Sequence, residues 1–282
     1  MARIAYVNGE YRPVTTASIA VEDRGLQFAD GVYEVWAVRD GRLMDWAGHV
    51  ERLRRSLGEL RIAPPCALSA LPVIIGELIR RNRIVDGLVY LQVTRGVAPR
   101  NHAFPDPAVK PTLILTARPV NVAAMERRAQ SGAAVITRPD LRWKRCDIKS
   151  ISLLPNILAK QEAAEAGAVE AWLVDEEGCV TEGASSNAWI VTTEGVLITR
   201  AADSLILRGI TRQAVARLAQ SLQLKLEERS FTVDEAKAAQ EAFITSASSF
   251  VMPVVAIDGE PVGSGSPGPV ASRLRQAYSE AG

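Results

Sequence analysis

Residues Val32 to Val38 alternate along the chain, are rich in β-formers, and run straight into Arg39-Asp40-Gly41-Arg42. Such a run reads as a strand. An Asp-Gly pair supplies the positive-φ positions of a tight hairpin turn, which sends the chain back antiparallel. Asn8-Gly9 gives the same signal between the short strand-like runs Arg3 to Val7 and Tyr11 to Val14. The N-terminal part thus opens with two hairpins. Glu22-Asp23-Arg24-Gly25, between them, reads as a loop.

Helices follow the hairpins. Val50, Leu53, Leu57 and Leu60 share one face of a helix from about Trp46 to Ile62, with Asp45 as its expected N-cap. Arg52 lies off that stripe and by itself reads as a solvated charge. A second helix runs from about Leu68 to Arg83, with Leu71, Ile75, Leu78 and Ile79 inward. Strands at Gly87 to Thr94 and Thr112 to Thr116 flank a loop framed by Pro99, Pro105 and Pro107. Residues 1–118 thus form a small α+β domain, 119–124 a linker, and 125–282 a larger domain of many short strands and few helices. In the larger domain we expect strands near Val135, Glu170, Cys179 to Thr181, Ala188, Val196, Ala242 and Phe250. Helices are expected at Leu153 to Ala166, Thr211 to Leu222 and Val270 to Ser279, and a short one follows the capping box Thr232-Val233-Asp234-Glu235.

Composition narrows the function. Of 282 residues, 48% are hydrophobic and 23% charged, which is ordinary for a globular protein with a sizeable core. A net charge of +1 gives no reason to expect nucleic acid or an anionic membrane as partner. Three cysteines without CxxC spacing and two histidines argue against a disulfide framework and against a metal site. No run is apolar for long enough to span a bilayer, and no cleavage signal follows Met1. The expected compartment is the reducing cytoplasm.

Four features point the same way. Lys149 lies in Trp143-Lys144-Arg145-Cys146-Asp147-Ile148-Lys149-Ser150, between a strand and a helix, where a lysine can be aimed into a cleft and supply the free amine of Schiff-base chemistry. Glu182 sits in Thr181-Glu182-Gly183-Ala184-Ser185-Ser186-Asn187, a small-residue turn between strands. Gly209-Ile210-Thr211 opens a helix, whose first N–H groups suit a phosphate. Arg100-Asn101-His102 places two donor groups on the proline-framed loop. Singly, each reads as an exposed carboxylate, a structural turn or solvated loop residues. Together they match pyridoxal 5′-phosphate and an amino-acid substrate: an amine for the aldehyde, a carboxylate for the ring nitrogen, an anion site for the phosphate, and a cationic clamp for the α-carboxylate.

These stretches, with Gly31-Val32-Tyr33-Glu34, His49-Val50-Glu51-Arg52-Leu53, Thr94-Arg95-Gly96, Leu158-Ala159-Lys160-Gln161-Glu162-Ala163 and Thr181-Glu182-Gly183, extend nearly through the chain. In that order the sequence resembles the fold-type IV pyridoxal-phosphate enzymes, and among them the D-amino acid aminotransferases. The resemblance implies an α+β fold: a small N-terminal α/β domain and a larger C-terminal domain of mixed, barrel-like sheet with flanking helices. It makes Lys149 the cofactor-bound lysine and proton shuttle, and pairs Glu182 with the ring nitrogen. It assigns the phosphate to Arg52, Ile210 and Thr211, with Ser246 and Ala247 beside it, and sets Leu207 against the ring. Ala247 stands where the family usually has a threonine, which predicts a weaker grip.

The resemblance makes Tyr33, Arg100 and His102 the carboxylate trap, with Arg100 and His102 reaching in from the second subunit of a homodimer. The implied reaction is ping-pong transfer from a D-alanine-type donor to a 2-oxo acid such as 2-oxoglutarate, by way of pyridoxamine phosphate. Branched-chain L-amino acid aminotransferases and aminodeoxychorismate lyases share Lys149, Glu182 and the phosphate site. Arg100-Asn101-His102 argues against the former, and the latter need room for a bulky anionic ring. No missing catalytic residue supports a dimer that only binds the cofactor.

Overall fold

The computed structural model describes residues 3–281, and the chain divides into two units. The first comprises Met1–Asn121 together with Ile148–Ser152. It opens with the hairpin β1 (Ile4–Val7) and β2 (Glu10–Pro13), whose turn places Asn8 and Gly9 at positive φ. The stretch expected to be a loop instead starts a short helix, α1 (Arg24–Phe28). Asp23 explains it. One carboxylate oxygen accepts from the Gly25 N–H and the other from the Thr112 hydroxyl, so a buried acid caps the helix and ties it to the sheet.

β3 (Gly31–Arg39) and β4 (Arg42–Leu43) form the second hairpin, with Asp40 and Gly41 both left-handed. α2 (Trp46–Glu59) follows, but Asp45 is itself left-handed and its side chain makes no capping bond. α3 (Leu71–Asn82), β5 (Gly87–Thr94) and β6 (Thr112–Pro119) complete a sheet of order β2-β1-β6-β5-β3-β4. One face packs on α2 and α3 through Val32, Trp36, Val89, Leu91, Leu53, Leu57, Leu71 and Leu78, which build the core. The opposite face carries Tyr33, Tyr90 and Gln92, because Tyr33 pairs with Gln92 and Val35 with Tyr90 in register.

The second unit comprises Val122–Asp147 and Leu153–Gly282. It begins with α4 (Val122–Ser131), a helix that the sequence reading did not anticipate. β7 (Ala133–Pro139), α5 (Leu154–Glu165), β8 (Glu170–Val174), β9 (Val180–Gly183), β10 (Asn187–Val191) and β11 (Leu197–Thr199) follow. Then come α6 (Ile210–Ser221), β12 (Leu226–Glu228), α7 (Val233–Lys237), β13 (Glu241–Ser246), β14 (Phe250–Ile257), β15 (Glu260–Pro261) and α8 (Pro269–Ala281). Thr232 caps α7 by accepting from the Glu235 N–H, as its capping box predicts.

The sheet runs β12-β11-β10-β13-β14-β7-β8-β9, with β15 beside β14. It is mixed: β11–β12, β14–β7 and β7–β8 are parallel and the other pairs antiparallel. β9, at one end of that order, also lies close to β10, so the sheet curls on itself in the manner of a barrel. Val135, Trp172, Ile190, Ile198, Ile244 and Met252 fill its core with Phe231. Among the described residues, no helix is long and apolar enough to cross a membrane.

Candidate active site

Lys149 belongs to the first unit, although the residues on either side of its segment belong to the second. Residues 149–151 lie antiparallel beside the N-terminal end of β3. The Tyr33 N–H donates to the Lys149 carbonyl, the Ile151 N–H donates to the Gly31 carbonyl, and Val32 and Ser150 form a bridge. Gly31 is required here, since a Cβ would strike the Val93 carbonyl and the Ile151 side chain. The Lys149 N–H also donates to Ser56 Oγ on α2. With its backbone fixed in this way, the lysine places Nζ 4.1 Å from the centre of the Tyr33 ring. Tyr33 in turn packs against Tyr90, with ring centres 5.7 Å apart, and the Tyr90 hydroxyl donates to Gln92. Burial, helped by the proximity of Tyr33, pushes the Tyr90 phenol up to about 12. Tyr90 is therefore a neutral hydrogen-bonding group, whereas Lys149 and Tyr33 meet as an amine on a π face.

On the core face of β3, one carboxylate breaks the apolar pattern. Glu34 is wholly buried and accepts two bonds from Arg52 and one from His49, both on α2. Arg52 is thus buried, not the solvated charge that its place off the apolar stripe predicts. Burial pulls the His49 imidazole below its ordinary value against the opposing pull of Glu34, which favours neutral His49. Sequence reasoning gave Glu34 and His49 no role. The available signal was an acid on the inward side of an alternating strand, with His49 and Arg52 one helical turn apart.

Arg100 and His102 lie on the loop between β5 and β6. Both lean on the Phe28 ring of α1: the Arg100 guanidinium lies 4.6 Å from its centre, and the His102 ring is centred 5.4 Å away. Sequence reasoning missed Phe28.

In the second unit, Glu182 lies within β9 and is buried, not placed in the turn that follows as the sequence suggested. The Leu207 N–H donates to both of its oxygens at 3.1 Å and Asn187 Nδ2 to Oε2 at 2.9 Å, while Arg142 donates to Oε1. Arg142 is held in turn by Asp140, and the paired carboxylates raise its pKa against the effect of burial. Leu207 therefore supplies a backbone donor as well as a side chain. Arg142 and Asn187 are further partners that sequence reasoning did not assign.

Gly209 opens α6 without a side-chain cap, which leaves the first N–H groups of the helix, those of Ile210 and Thr211 included, without intrahelical acceptors. A Cβ at Gly209 would overlap Asn187 Oδ1, so the glycine lets the helix start reach the Asn187–Glu182 pair. Ser246 ends β13, with Ala247 in the turn after it, and its hydroxyl lies 2.7 Å from that of Ser249 and 3.2 Å from that of Ser248.

The chain matches the amino-transferase class IV family over residues 31–257, and it belongs to that family. It is a transaminase of the α+β, fold-type IV kind, and enzymes of this class use pyridoxal 5′-phosphate. Within the family, its relatives include the D-alanine aminotransferase of Bacillus licheniformis, 42% identical over 270 residues that cover 96% of this chain and 94% of the relative. The D-alanine aminotransferase of Staphylococcus haemolyticus is 39% identical over 276 residues, covering 98% and 96%. Among solved structures, a T.th. branched-chain amino acid aminotransferase with pyridoxamine 5′-phosphate aligns with a TM-score of 0.91 at 31% identity, covering 100% of this chain and 94% of that one.

Proposed function

We propose that the protein transfers the amino group of a D-alanine-type donor to a 2-oxo acid such as 2-oxoglutarate. One observation carries the reading: Arg100 and His102, two groups suited to a carboxylate, rest on a single aromatic ring. The near-full-length likeness to D-alanine aminotransferases supports it.

The residues present fit pyridoxal 5′-phosphate. Glu182 is a buried carboxylate ringed by donors, Gly209 leaves the start of α6 open to an anion, and the Lys149 amine is held over Tyr33. When bound, the cofactor supplies an aldehyde to take the substrate nitrogen and a ring to accept the electron pair released at Cα. Lys149 would act as the base that takes the proton from the substrate Cα and would carry it to the cofactor C4′. Glu182 would hold the proton on the ring nitrogen, and Leu207 would pack against the ring. Arg52, Ile210, Thr211, Ser246 and Ala247 would hold the phosphate. Tyr33, Arg100 and His102 orient the substrate carboxylate, so the face from which the α-hydrogen meets Lys149 selects the D-enantiomer. In the same reading the enzyme is a homodimer, with Arg100 and His102 serving the second subunit. It works in the cytoplasm, a setting that its three unbridged cysteines fit.

The test is spectroscopic. The purified holoenzyme should lose its yellow colour with D-alanine and keep it with L-leucine; the reverse pattern removes the D-specific reading. Sedimentation should give twice the 30.4 kDa chain mass, and a monomer that remains active would remove the shared site.

A further inference from the structure

We infer that α1 is the positioning element of the carboxylate-binding loop, with Arg24 fixing its backbone and Phe28 fixing its two reactive side chains. The inference rests on the reading above, in which Arg100 and His102 meet the substrate carboxylate.

Left to itself, an exposed loop carrying an arginine and a histidine is a poor trap. Each substrate would have to order long side chains on binding, at a cost of roughly 0.5–1.5 kcal/mol apiece. Arg24 is 3% exposed and turns its guanidinium toward three successive carbonyls of the loop. Its Nη1 donates to the Asn101 oxygen at 2.5 Å and the Ala103 oxygen at 3.3 Å, and its Nη2 donates to the His102 oxygen at 3.4 Å. Its Nε is anchored on Asp30 at 2.8 Å, and its own backbone N–H donates to the Gly96 carbonyl. Only a planar, many-donor head can span such a set, so a lysine would not replace it.

Asp30 is shared with Arg95, which donates to the Leu60 and Arg61 carbonyls and lies 3.5 Å from the centre of the Phe104 ring. The loop is therefore gripped on both sides of His102. The side chains are set by Phe28, whose ring takes Arg100 at 4.6 Å, Arg24 at 4.8 Å and the tilted His102 imidazole at 5.4 Å. One ring thus aligns both donors before substrate arrives, and one arginine holds the backbone that presents them. Neither Arg24 nor Phe28 touches the substrate in this scheme; both act through Arg100 and His102.

The test uses steady-state kinetics of the holoenzyme with D-alanine. Phe28→Leu and Arg24→Lys should each raise KM about fivefold, equivalent to about 1 kcal/mol, with a smaller change in kcat. A carboxylate held equally in ground and transition states gives that split. Phe28→Tyr, which keeps the ring, should restore the KM. In an Arg100→Ala background, Phe28→Leu should add little. Hydrogen exchange over residues 97–104 should quicken in Arg24→Lys.

An unchanged KM in Phe28→Leu and Arg24→Lys, beside a raised KM in Arg100→Ala, overturns the positioning role alone. So does a Phe28→Leu effect that multiplies in full with that of Arg100→Ala. An unchanged KM in Arg100→Ala overturns the carboxylate site and this inference with it. Should Arg24→Lys fail to fold, the Phe28 pair carries the test.

Discussion

Arg52 and Glu34 meet through two parallel bonds, Nε to Oε1 and Nη2 to Oε2, each 2.7 Å long. The pair joins α2 to the buried face of β3, and His49 reaches the same carboxylate at 2.7 Å. The positive charge of Arg52 is therefore balanced inside the protein. What it would offer a phosphate is directed N–H groups rather than net charge.

This pairing makes a prediction about acid. Burial alone would raise the Glu34 pKa, but the charge and hydrogen bonds of Arg52, with a bond from His49, outweigh it and hold the group at about 2. A depressed folded pKa contributes stability above the ordinary value of 4.5, lost as pH falls toward about 2. Glu34→Gln should cost about 3 kcal/mol at neutral pH, because it strands a buried arginine. In urea unfolding, the gap to the unaltered protein should narrow steadily below pH 4.5. A gap independent of pH would mean that the carboxylate charge is not what stabilises.

Reducing the holoenzyme with borohydride should leave the cofactor mass on the peptide containing Lys149. Lys149→Ala should lose transamination while its far-ultraviolet spectrum is unchanged. Label on Lys144 or Lys160 instead would sink the assignment.

Gly209 has φ −61°, a value open to alanine, so Gly209→Ala tests sterics alone. The new methyl meets Asn187 Oδ1 and disturbs a side chain bonded to Glu182. We expect a loss of about 1–3 kcal/mol and weaker cofactor retention. Gly209→Ala with Asn187→Ala should recover part of the stability. An unaltered unfolding midpoint in Gly209→Ala would show that the helix start has slack.

Ala247 has no side-chain hydroxyl to offer in the turn that the proposed reading sets beside the phosphate. Ala247→Thr should tighten the cofactor about fivefold, the worth of one net hydrogen bond of about 1 kcal/mol. Titration of apoenzyme reads this directly, and an unchanged dissociation constant would place the turn out of reach of the phosphate.

Elements with a strong period were legible in the chain itself. Leu53 and Leu57 on α2, Leu71, Ile75 and Leu78 on α3, and the Asp40-Gly41 turn lie where their spacing puts them. α4 was missed because it buries Ala129 alone, so it carries no apolar stripe to read. Asp45 misled because its own left-handed backbone turns it away from capping geometry. Residue type drew the sequence reading to Lys149 and Glu182, although it put Glu182 in the turn and not in β9. Their partners were not legible. Arg142 reaches Glu182 across 40 positions and Arg24 reaches Asn101 across 77, separations at which no local pattern connects two residues.

The chain leaves the first unit after Asn121, returns at Ile148 and leaves again after Ser152. A fragment of residues 1–121 would keep β3 and lose Lys149. A fragment of residues 122–282 would keep Lys149 and lose the strand that carries its backbone. Neither fragment by itself would keep the Lys149 carbonyl on the Tyr33 N–H or the Ile151 N–H on the Gly31 carbonyl, so the backbone geometry of this lysine is a property of the unbroken chain.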